Sequence, residues 1–573
     1  MKDLKSILKY LMYDKKNFII TTLLIIVETS FELIIPFLMK DIINNGVEKG
    51  DMNQILISGL LIIGCAIISL ITGHLYSIFM GKTVSNYSYN LRQDLYEHIQ
   101  TYSFANLDKF DTTSLVTRLT NDCQIMQNTI LGSIRPLFRS PIMLGMGVGL
   151  SFAIAPSIAW IFVCAVPVLA LILFLIIKFT APKYSKIQKN VDDLNLVVRE
   201  NVVSIRTVKS YVRENFEIEK FNSANENVRN TTESTFKIAV LNTPCFQLSM
   251  YAVTTLLLSF GAIQVHNNTL EVGSLSALLS YVLQVMNSIM MISNVFLLMN
   301  RSFASASRIN ELLKEKNSMK EYNHLLVENG DIKFNNVSFK YKETSEEYVL
   351  ENINLHFPKG SSIGIMGGTG SAKSTLVSLI LRLYDVTKGE IFIDDKNVKD
   401  YDLKNLRDSI SIVLQNNVLF SGSVKENLLW GNENANDEEI KKALELSCSD
   451  EFIDRLPGGL DYDLGQGGVN VSGGQRQRLC IARALLKKPK IMIFDDSTSA
   501  CDMETERKIL KGIRSLKDTT NIIIGQRVTS VMDCDQIVIL DDGKIDAIGR
   551  HEELKETCEI YKELCSVQLG SEK

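Results

Sequence analysis

A glycine-rich stretch at residues 367–375 has the residue types best suited to chemistry. It contains Gly-Gly-Thr-Gly-Ser-Ala-Lys-Ser-Thr and lies between an apolar run, 363–366, and a helix-like segment, 376–383. Small residues between a strand and a helix let successive backbone N–H groups turn toward phosphates, while a Lys binds the outer phosphates and a hydroxyl ligates Mg²⁺. Lys373 and Ser374 can fill these two roles. The predicted phosphate-binding loop comprises Gly368, Thr369, Gly370, Ser371, Ala372, Lys373, Ser374 and Thr375.

One position of this loop departs from the usual spacing, G-x-x-x-x-G-K-[ST]. Ala372 stands where the second glycine is expected. A methyl group is tolerated there if the residue takes helical dihedral angles, whereas a positive φ would be costly. For the loop taken alone, a glycine-rich turn without a ligand is the alternative.

Two further stretches could complete a nucleotide site. Residues 491–495 form an apolar strand that ends in Asp495, a carboxylate placed to hold Mg²⁺ through water. Residues 471–475 open an apolar helix, where backbone N–H groups and the helix dipole attract an anion. After Val471, this turn consists of Ser472, Gly473, Gly474 and Gln475. Two phosphate-facing helix starts in one domain are most simply explained if the second serves a nucleotide held by another copy of the domain.

Upstream of these motifs, the first half of the chain is dominated by apolar segments long enough to cross a bilayer, which requires about 20 residues. They lie near residues 17–39, 54–80, 137–155, 157–180, 241–265 and 273–299. The short turns after the third and fifth segments carry no Lys or Arg, whereas the N-terminal segment and the long connections 81–136 and 181–240 carry many. The positive-inside rule therefore predicts a multi-pass protein with both ends in the cytoplasm. Buried helices of a large soluble protein are the alternative.

The two long connections have helical periodicity and few helix breakers. Connections beyond about 15 residues normally carry structure of their own, so we expect the membrane helices to continue into the cytoplasm. The candidate tips are residues 108–115 and 211–217, where polar and charged residues cluster. Plain helical hairpin turns are the alternative to docking tips.

Length and composition fit two domains of different character. The chain has 573 residues, and its net charge of −4 says little about partners. Its ten Cys include no C-x-x-C pair, so neither a zinc site nor a redox motif is expected. No nucleic-acid partner is expected. Apolar strands alternate with helices from residue 331 onward, which is typical of an α/β domain. We therefore predict a multi-domain membrane protein with a transmembrane domain at 1–312, a polar linker at 313–330 and a nucleotide-binding domain at 331–573.

Together these motifs resemble the ATP-binding cassette (ABC) exporters over nearly the whole chain. The matching features are the phosphate loop, a Q-loop at Leu414-Gln415, the Ser-Gly-Gly-Gln signature, Asp495 and a D-loop at residues 499–502; residues 117–122, 199–201 and 206–209 also match. The resemblance implies six transmembrane helices followed by an α/β P-loop nucleotide-binding domain, with ATP and Mg²⁺ as cofactors. It also implies that Ser374, Gln415 and Asp495 act at the metal and that Tyr341 stacks on the adenine.

Two residues depart from the exporter pattern. Asp496 stands where the family has the Glu that polarises the attacking water, and Gln526 stands where it has the switch His. Asp is one methylene shorter, and general base catalysis is worth about 10² to 10⁴ in rate. Because the signature is intact, we expect a heterodimer in which this chain holds a degenerate site and completes the catalytic site of a partner with Glu and His in place. A slow homodimeric exporter and an ATP-gated channel or sensor are the alternatives.

The resemblance implies an amphiphilic substrate, either drug-like or lipid-like, while the residues themselves leave drugs, lipids, peptides and haem open. Glu28 and Glu32 lie one helical turn apart in the first membrane segment, where carboxylates are costly unless they are paired or face a wet cavity. They are candidate substrate residues in a cation-attracting pocket, and pairing with a partner-chain Lys or Arg is the alternative. The expected location is the plasma membrane, with lipid around the helices.

Overall fold

The computed structural model describes residues 2–317, 319, 325–342 and 344–570. The chain forms two compact units, one of Met1–Gln100 with Thr112–Glu315 and one of Thr101–Asp111 with Lys316–Lys573. The short segment 101–111 thus groups with the second half of the chain, although it interrupts the first unit in sequence. Positions 318 and 320–324 of the expected linker lie outside the described residues.

The first unit is built from helices. They are α1 (Lys2–Leu8), α2 (Lys15–Asp41), α3 (Met52–Gln100), α5 (Thr112–Thr117), α6 (Cys123–Ile154), α7 (Pro156–Val203), α8 (Ile205–Ser210), α9 (Glu214–Ala239), α10 (Asn242–His266) and α11 (Val272–Lys314), while α4 (Phe104–Leu107) belongs to the second unit. Within the described residues, six helical stretches are long and apolar enough to cross a membrane. This confirms the predicted six-helix transmembrane domain.

The turn between the third and fourth spans follows directly from its sequence. α6 ends at Ile154, Ala155 is extended, and α7 begins at Pro156. Proline is favoured at the first position of a helix because that position needs no N–H donor and the ring fixes φ near the helical value. The two membrane helices are therefore joined by a single non-helical residue.

The long connections are continuous with the membrane helices, as their periodicity predicts. α3 has 49 residues and α7 has 48. At about 1.5 Å per residue each is about 70 Å long, more than twice the roughly 30 Å hydrocarbon core. The second connection is interrupted at Ser204 and at residues 211–213, of which 211–213 lie inside the expected tip. The first is interrupted at 101–103 and at 108–111, of which 108–111 lie inside the expected tip 108–115.

Within its described residues, the second unit contains ten strands and, besides α4, ten α-helices. The strands are β1 (Ile332–Phe339), β2 (Leu350–Phe357), β3 (Ser362–Gly367), β4 (Lys388–Ile393), β5 (Lys396–Asn397), β6 (Ile410–Val413), β7 (Ile491–Asp495), β8 (Thr520–Ile524), β9 (Gln536–Asp541) and β10 (Lys544–Gly549). The helices are α12 (Lys373–Ile380), α13 (Leu403–Asp408), α14 (Val424–Leu429), α15 (Asp437–Leu446), α16 (Asp450–Ile453), α17 (Gly473–Leu486), α18 (Met503–Arg514), α19 (Val528–Val531), α20 (His551–Thr557) and α21 (Glu559–Leu569).

These strands form two sheets. One is antiparallel with the order β2-β1-β4-β5, and the other has the order β10-β9-β3-β8-β7-β6. In the larger sheet β9, β3, β8, β7 and β6 are mutually parallel, and only β10 is antiparallel. Every residue of β7 and β8 is buried, as expected for central strands of a sheet covered on both faces. The α/β class of the second unit is confirmed.

Candidate functional site

The parallel sheet brings most of the sequence-predicted site residues together. The phosphate loop follows β3, Asp495 ends β7, Gln526 comes two residues after β8 and Gln415 comes two residues after β6. Ligands of open α/β sheets bind at the carboxyl ends of parallel strands, where the loops converge. A cavity of about 470 Å³ lies at this edge, lined by residues that include the phosphate loop, Gln415, Asp495, Asp496 and Gln526, together with Val349 and Leu564.

Lys373 is held against the phosphate loop by its own backbone. Its Nζ donates to the carbonyl oxygens of Gly367 at 3.0 Å and Gly368 at 2.7 Å. Burial lowers the pKa of the ammonium group, partly offset by Asp495 and Asp496. An ammonium group that is already partly desolvated at the mouth of this loop is well suited to bind phosphate oxygens.

Ala372 has a positive φ, the more costly of the two conformations that the sequence leaves open for this residue. Its φ is 68° and its ψ is 23°, in the left-handed region, and α12 begins at the next residue. The left-handed conformation costs an L-residue about 1–2 kcal/mol relative to glycine. Ala372 is therefore accommodated at the cost of backbone strain.

Ser374 and Asp495 form a pair of oxygen ligands suited to Mg²⁺. Ser374 Oγ donates to Asp495 Oδ1 at 3.0 Å, and Asp495 is 7% exposed. Burial raises the pKa of this carboxyl, and the neighbouring Asp496 adds to the effect. Mg²⁺ prefers hard oxygen ligands and usually takes only one or two from the protein, so this hydroxyl and carboxylate fit it.

The two residues that depart from the exporter pattern contact each other. Gln526 Nε2 donates to Asp496 Oδ2 at 2.9 Å, and Gln415 Nε2 lies 3.3 Å from the same oxygen. Asp496 has a φ of 48°, and burial raises the pKa of its carboxyl. The backbone carbonyl oxygen of Gln526 accepts a hydrogen bond from Gln568 Nε2 at 2.9 Å. The carboxylate at the base position is thus held between two neutral amides.

Tyr341 lies beside the phosphate loop with about half of its surface exposed. Its hydroxyl is 2.9 Å from Thr375 Oγ1, and the edge of its ring meets Tyr384, with ring centroids 5.2 Å apart. Tyr384 donates to Asp108 Oδ2 at 2.7 Å and lies near Phe104. Burial raises the pKa of Tyr384, and its hydrogen bond to Asp108 adds to the effect. A chain of contacts therefore joins segment 101–111 to the phosphate loop.

The signature turn caps its own helix. Ser472 Oγ accepts from the Gln475 backbone N–H at 3.3 Å, while the Ser472 N–H donates to Gln475 Oε1 at 2.9 Å, a reciprocal capping box. A Cβ added to Gly474 would lie 2.9 Å from the Ala500 carbonyl oxygen, whereas Gly473 has open space. Within the described part of the chain, the cavity at the phosphate loop has no signature residue in its lining.

Glu28 and Glu32 are paired within the chain, which differs from both sequence-based interpretations. Arg135 Nη2 is 2.5 Å from Glu28 Oε1, and Arg139 Nη2 is 2.5 Å from Glu32 Oε2. Both arginines lie on α6, where their four-residue spacing matches that of the carboxylates on α2. Gly73 leaves room for Glu28, because a Cβ there would lie 3.1 Å from Glu28 Oε1. The carboxylates therefore do not form an uncompensated negative pocket.

Sequence reasoning missed several residues around these sites. Arg135 and Arg139 carried a usable signal, since two arginines spaced like the two glutamates predict a pair of parallel ion pairs between helices. Tyr384 and Val349 carried no such sequence signal. Their places beside the nucleotide site depend on tertiary contacts of the antiparallel sheet and of segment 101–111.

Comparison with known proteins agrees with this architecture. Residues 18–289 match the model of the ABC transporter transmembrane region, and residues 350–499 match the ABC transporter model. The chain is 36% identical over 554 residues to the uncharacterized ABC transporter ATP-binding protein YfiB of Bacillus subtilis (strain 168), covering 96% of each protein. It is 29% identical over 536 residues to an ATP-dependent lipid A-core flippase of Desulfotalea psychrophila, covering 93% of each.

The fold is also similar to a solved structure, that of a bacterial Atm1-family ABC exporter with ATP bound. The TM-score is 0.84, and the match covers 98% of this chain and 99% of the other. The sequence identity is 21%. This likeness supports the arrangement of helices and sheets in each unit.

Proposed function

The chain belongs to the ABC transporter family, and we propose that this half-transporter works as one half of a heterodimeric exporter. In this proposal its own nucleotide site is degenerate and its signature completes the catalytic site built on the partner's Walker motifs. Hydrolysis of ATP then takes place mainly at the partner's site. The pair would move amphiphilic substrates, drug-like or lipid-like, across the membrane.

The observation that carries this proposal is the direct contact between Asp496 and Gln526, at 2.9 Å. A general base must reach the proton of the attacking water, and the Asp496 carboxylate is both shorter than Glu and bonded to two amides. Gln526 can donate a hydrogen bond but cannot become positively charged. Both changes weaken groups expected at the γ-phosphate of this chain's own nucleotide.

The intact signature supports the second half of the proposal. Ser472, Gly473, Gly474 and Gln475 keep the capped helix start that presents N–H groups to an anion. The signature helix start is retained although the Glu expected as general base is replaced by Asp496. This combination is expected if the signature and the base position act on two different nucleotides. The homodimeric alternative would place the signature of one copy against the degenerate site of the other.

ATP with Mg²⁺ is the proposed cofactor of this chain's site. The phosphate loop and Lys373 would bind the phosphates, Ser374 with Asp495 would hold Mg²⁺, and Gln415 would lie beside it. Tyr341 would stack on the adenine, since aromatic faces stack well on bases. Bound Mg²⁺ would supply charge neutralisation between the outer phosphates.

The proposed substrate class rests on the relatives and on the charges in the membrane helices. One relative is named as a lipid A-core flippase, an activity on an amphiphile. Glu28 and Glu32 are matched by Arg135 and Arg139, so the proposed substrate region presents charges of both signs. Such a region suits amphiphiles with polar head groups better than simple cations. The proposed location is the plasma membrane, with both ends of the chain in the cytoplasm, from the distribution of Lys and Arg.

The test is steady-state ATPase activity at saturating Mg·ATP, with the chain alone and with the partner that co-purifies with it. The isolated chain should turn over slowly and the complex quickly. In the complex, Asp496→Asn should leave a substantial fraction of the rate, whereas the partner's Glu-to-Gln change should remove about 10² to 10⁴. Equal loss from both substitutions would contradict the assignment of this half as the degenerate one.

The same measurements separate the two alternatives. Fast turnover by the isolated chain would favour a homodimeric exporter. Substrate movement that follows its own gradient, in the presence of a non-hydrolysable ATP analogue, would favour a gated channel.

A further inference from the structure

Glu506 is a buried carboxylate of the second unit that the nucleotide site does not use. It lies on α18 and is 4% exposed. Its Oε1 accepts hydrogen bonds from Thr498 Oγ1 at 2.8 Å and from Ser530 Oγ at 2.6 Å. Its Oε2 is 2.9 Å from Arg527 Nη1. A buried charge is costly unless it is paired and hydrogen-bonded, and Glu506 meets both conditions.

The three partners of Glu506 come from two separate segments, the loop after β7 and the start of α19. Thr498 lies two residues after Asp496 and directly before the D-loop, residues 499–502. Arg527 and Ser530 follow Gln526, at the start of the segment that enters α19. We call residues 526–530 the switch segment. One carboxylate therefore fixes the switch segment to the residue from which the D-loop starts.

The D-loop is also held against the signature helix. Gln477, on α17, is 1% exposed, and its Oε1 accepts from the Ala500 backbone N–H at 3.1 Å and lies 3.4 Å from Cys501 Sγ. The Gly474 backbone also lies close to the Ala500 carbonyl, as the lack of room for a Cβ shows. The D-loop thus has one end fixed through Thr498 and Glu506 and its middle fixed through Gln477.

We infer that Glu506 is a positioning residue that makes the D-loop follow the switch segment. A nucleotide phosphate that displaces Gln526 would move Arg527 and Ser530 with it, and the shared carboxylate would pass this movement to Thr498 and the D-loop. The consequence for a partner's catalytic site rests on the proposed function, because the D-loop and signature would face that site. The coupling within this chain does not depend on a partner or on hydrolysis.

Cys501 provides a reporter for the position of the D-loop. It is 7% exposed, and burial raises the pKa of its thiol to about 11, so maleimide should modify it slowly at neutral pH. The full chain in detergent or nanodiscs is treated with N-ethylmaleimide, and the rate of modification at each Cys is followed by peptide mass spectrometry. Cys480, on the signature helix and 3% exposed, reports general loosening of the domain.

Two variants break the connection at different points. Thr498→Val removes one hydroxyl donor, and Glu506→Gln removes the ion pair with Arg527. Each should raise the Cys501 rate about tenfold or more, the effect of losing one hydrogen bond to a charged group, with Cys480 unchanged. Thr519→Val is the matched control, because Thr519 is a buried threonine whose Oγ1 bonds the Pro489 carbonyl at 3.0 Å, away from both loops. A Cys501 rate no higher than in this control, or a parallel rise at Cys480, would overturn the inference.

A second measurement tests whether nucleotide binding at the switch segment changes the position of the D-loop through Glu506. A purely structural role of Glu506 would not affect this response. Mg·ATP should change the Cys501 rate in the unsubstituted chain and should lose this effect in Glu506→Gln. Glu506→Gln combined with Arg527→Gln, which replaces the ion pair by an amide pair, should restore part of it. No effect of Mg·ATP in the unsubstituted chain, or an equal effect in Glu506→Gln, would overturn the coupling. High ATPase activity of the isolated chain would refute the proposed function and leave these labelling results intact.

Discussion

Gln526 donates a hydrogen bond from its side-chain Nε2 to Oδ2 of Asp496, at 2.9 Å. The two residues that depart from the exporter pattern therefore form one local unit. A neutral amide orients the carboxylate but cannot supply the positive charge that a protonated His could. Changing Gln526 alone would leave Asp496 with only the longer contact to Gln415, and changing Asp496 alone would remove the acceptor of the Gln526 amide, so the two positions act together.

Ala372→Gly should stabilise the second unit. The residue sits at φ 68°, where glycine avoids the steric cost of a Cβ, so we expect a gain of about 1 kcal/mol. The measurement is thermal unfolding of the full chain followed by intrinsic fluorescence or calorimetry. Nucleotide affinity should not fall, because the loop already has the shape that glycine would adopt.

The control for this substitution is Ala443→Gly, in the buried face of α15. There the same chemical change should destabilise by about 1 kcal/mol or more, because glycine is unfavourable inside a helix. A loss of stability in Ala372→Gly as large as in Ala443→Gly would contradict the role assigned to the left-handed backbone.

Binding of Mg·ATP should weaken on mild acidification because of Asp495. Burial raises the pKa of its carboxyl, so it takes up a proton at a higher pH than an exposed Asp does. Mg²⁺ needs the ionised form, and affinity is therefore lost as the pH falls through this raised value. The measurement is Mg-dependent binding of a fluorescent ATP analogue across a pH series.

Asp495→Asn is the matched control for this pH dependence. Its affinity should be lower at neutral pH and should fall less on acidification, since the titration of Asp495 is removed while those of Asp496 and the nucleotide remain. The same acid dependence in both proteins would assign the titration to another group.

Removal of the Glu28 carboxylate should destabilise the first unit more than removal of that of Glu32. The Glu28 side chain is 8% exposed and contacts Arg135 at 2.5 Å and Arg139 at 3.8 Å, whereas Glu32 is 33% exposed and contacts Arg139. Breaking a buried pair typically costs about 3–5 kcal/mol, and the exposure of Arg135 places Glu28→Gln at the low end. Thermal unfolding in one detergent compares the two variants.

A compensating substitution distinguishes pairing from general damage to the helix. Glu28→Gln combined with Arg135→Gln should recover part of the stability, because no unpaired charge remains. If the losses of stability in Glu28→Gln and Arg135→Gln simply add in the double variant, the two side chains do not act as a pair.

The elements of this protein follow closely from its sequence, whereas the contacts between them do not. Long apolar runs predict the six membrane helices, and the runs that precede Gly367 and end at Asp495 predict β3 and β7. Periodicity depends on burial along one element, so it is visible in a single sequence. Glu506 shows the limit, since Thr498 precedes it by eight residues whereas Arg527 and Ser530 follow it by more than twenty.

The backbone at Ala372 and the partners of Glu28 show the same limit. The spacing of the phosphate loop indicates where glycine is expected, but the left-handed angle is imposed by the junction of β3 and α12. Glu28 carries a charge that must be compensated; the spacing of Arg135 and Arg139 indicates candidate partners, and the packing of α2 against α6 pairs Glu28 with Arg135. The sequence thus marks Ala372 and Glu28 as unusual, and the structure supplies the backbone angle of the first and the ion-pair partner of the second.

The combined substitution Asp496→Glu with Gln526→His should create hydrolysis in the isolated chain. Glu adds the missing methylene, and His can carry the charge that Gln cannot, so the pair would supply the general base contribution of about 10² to 10⁴. The signature needed in trans is present on a second copy of the chain, with its capped helix start intact. The measurement is steady-state ATPase activity at saturating Mg·ATP.

The two single substitutions are the controls for this gain. Asp496→Glu alone would face Gln526, and Gln526→His alone would face the shorter carboxylate that the amide now holds at 2.9 Å. We therefore expect each to give much less than the double variant, with a rate gain that exceeds the product of the single gains. Equal activity of the double variant and the unsubstituted chain, at full nucleotide occupancy of both, would show that Asp496 and Gln526 are not what limits hydrolysis at this site.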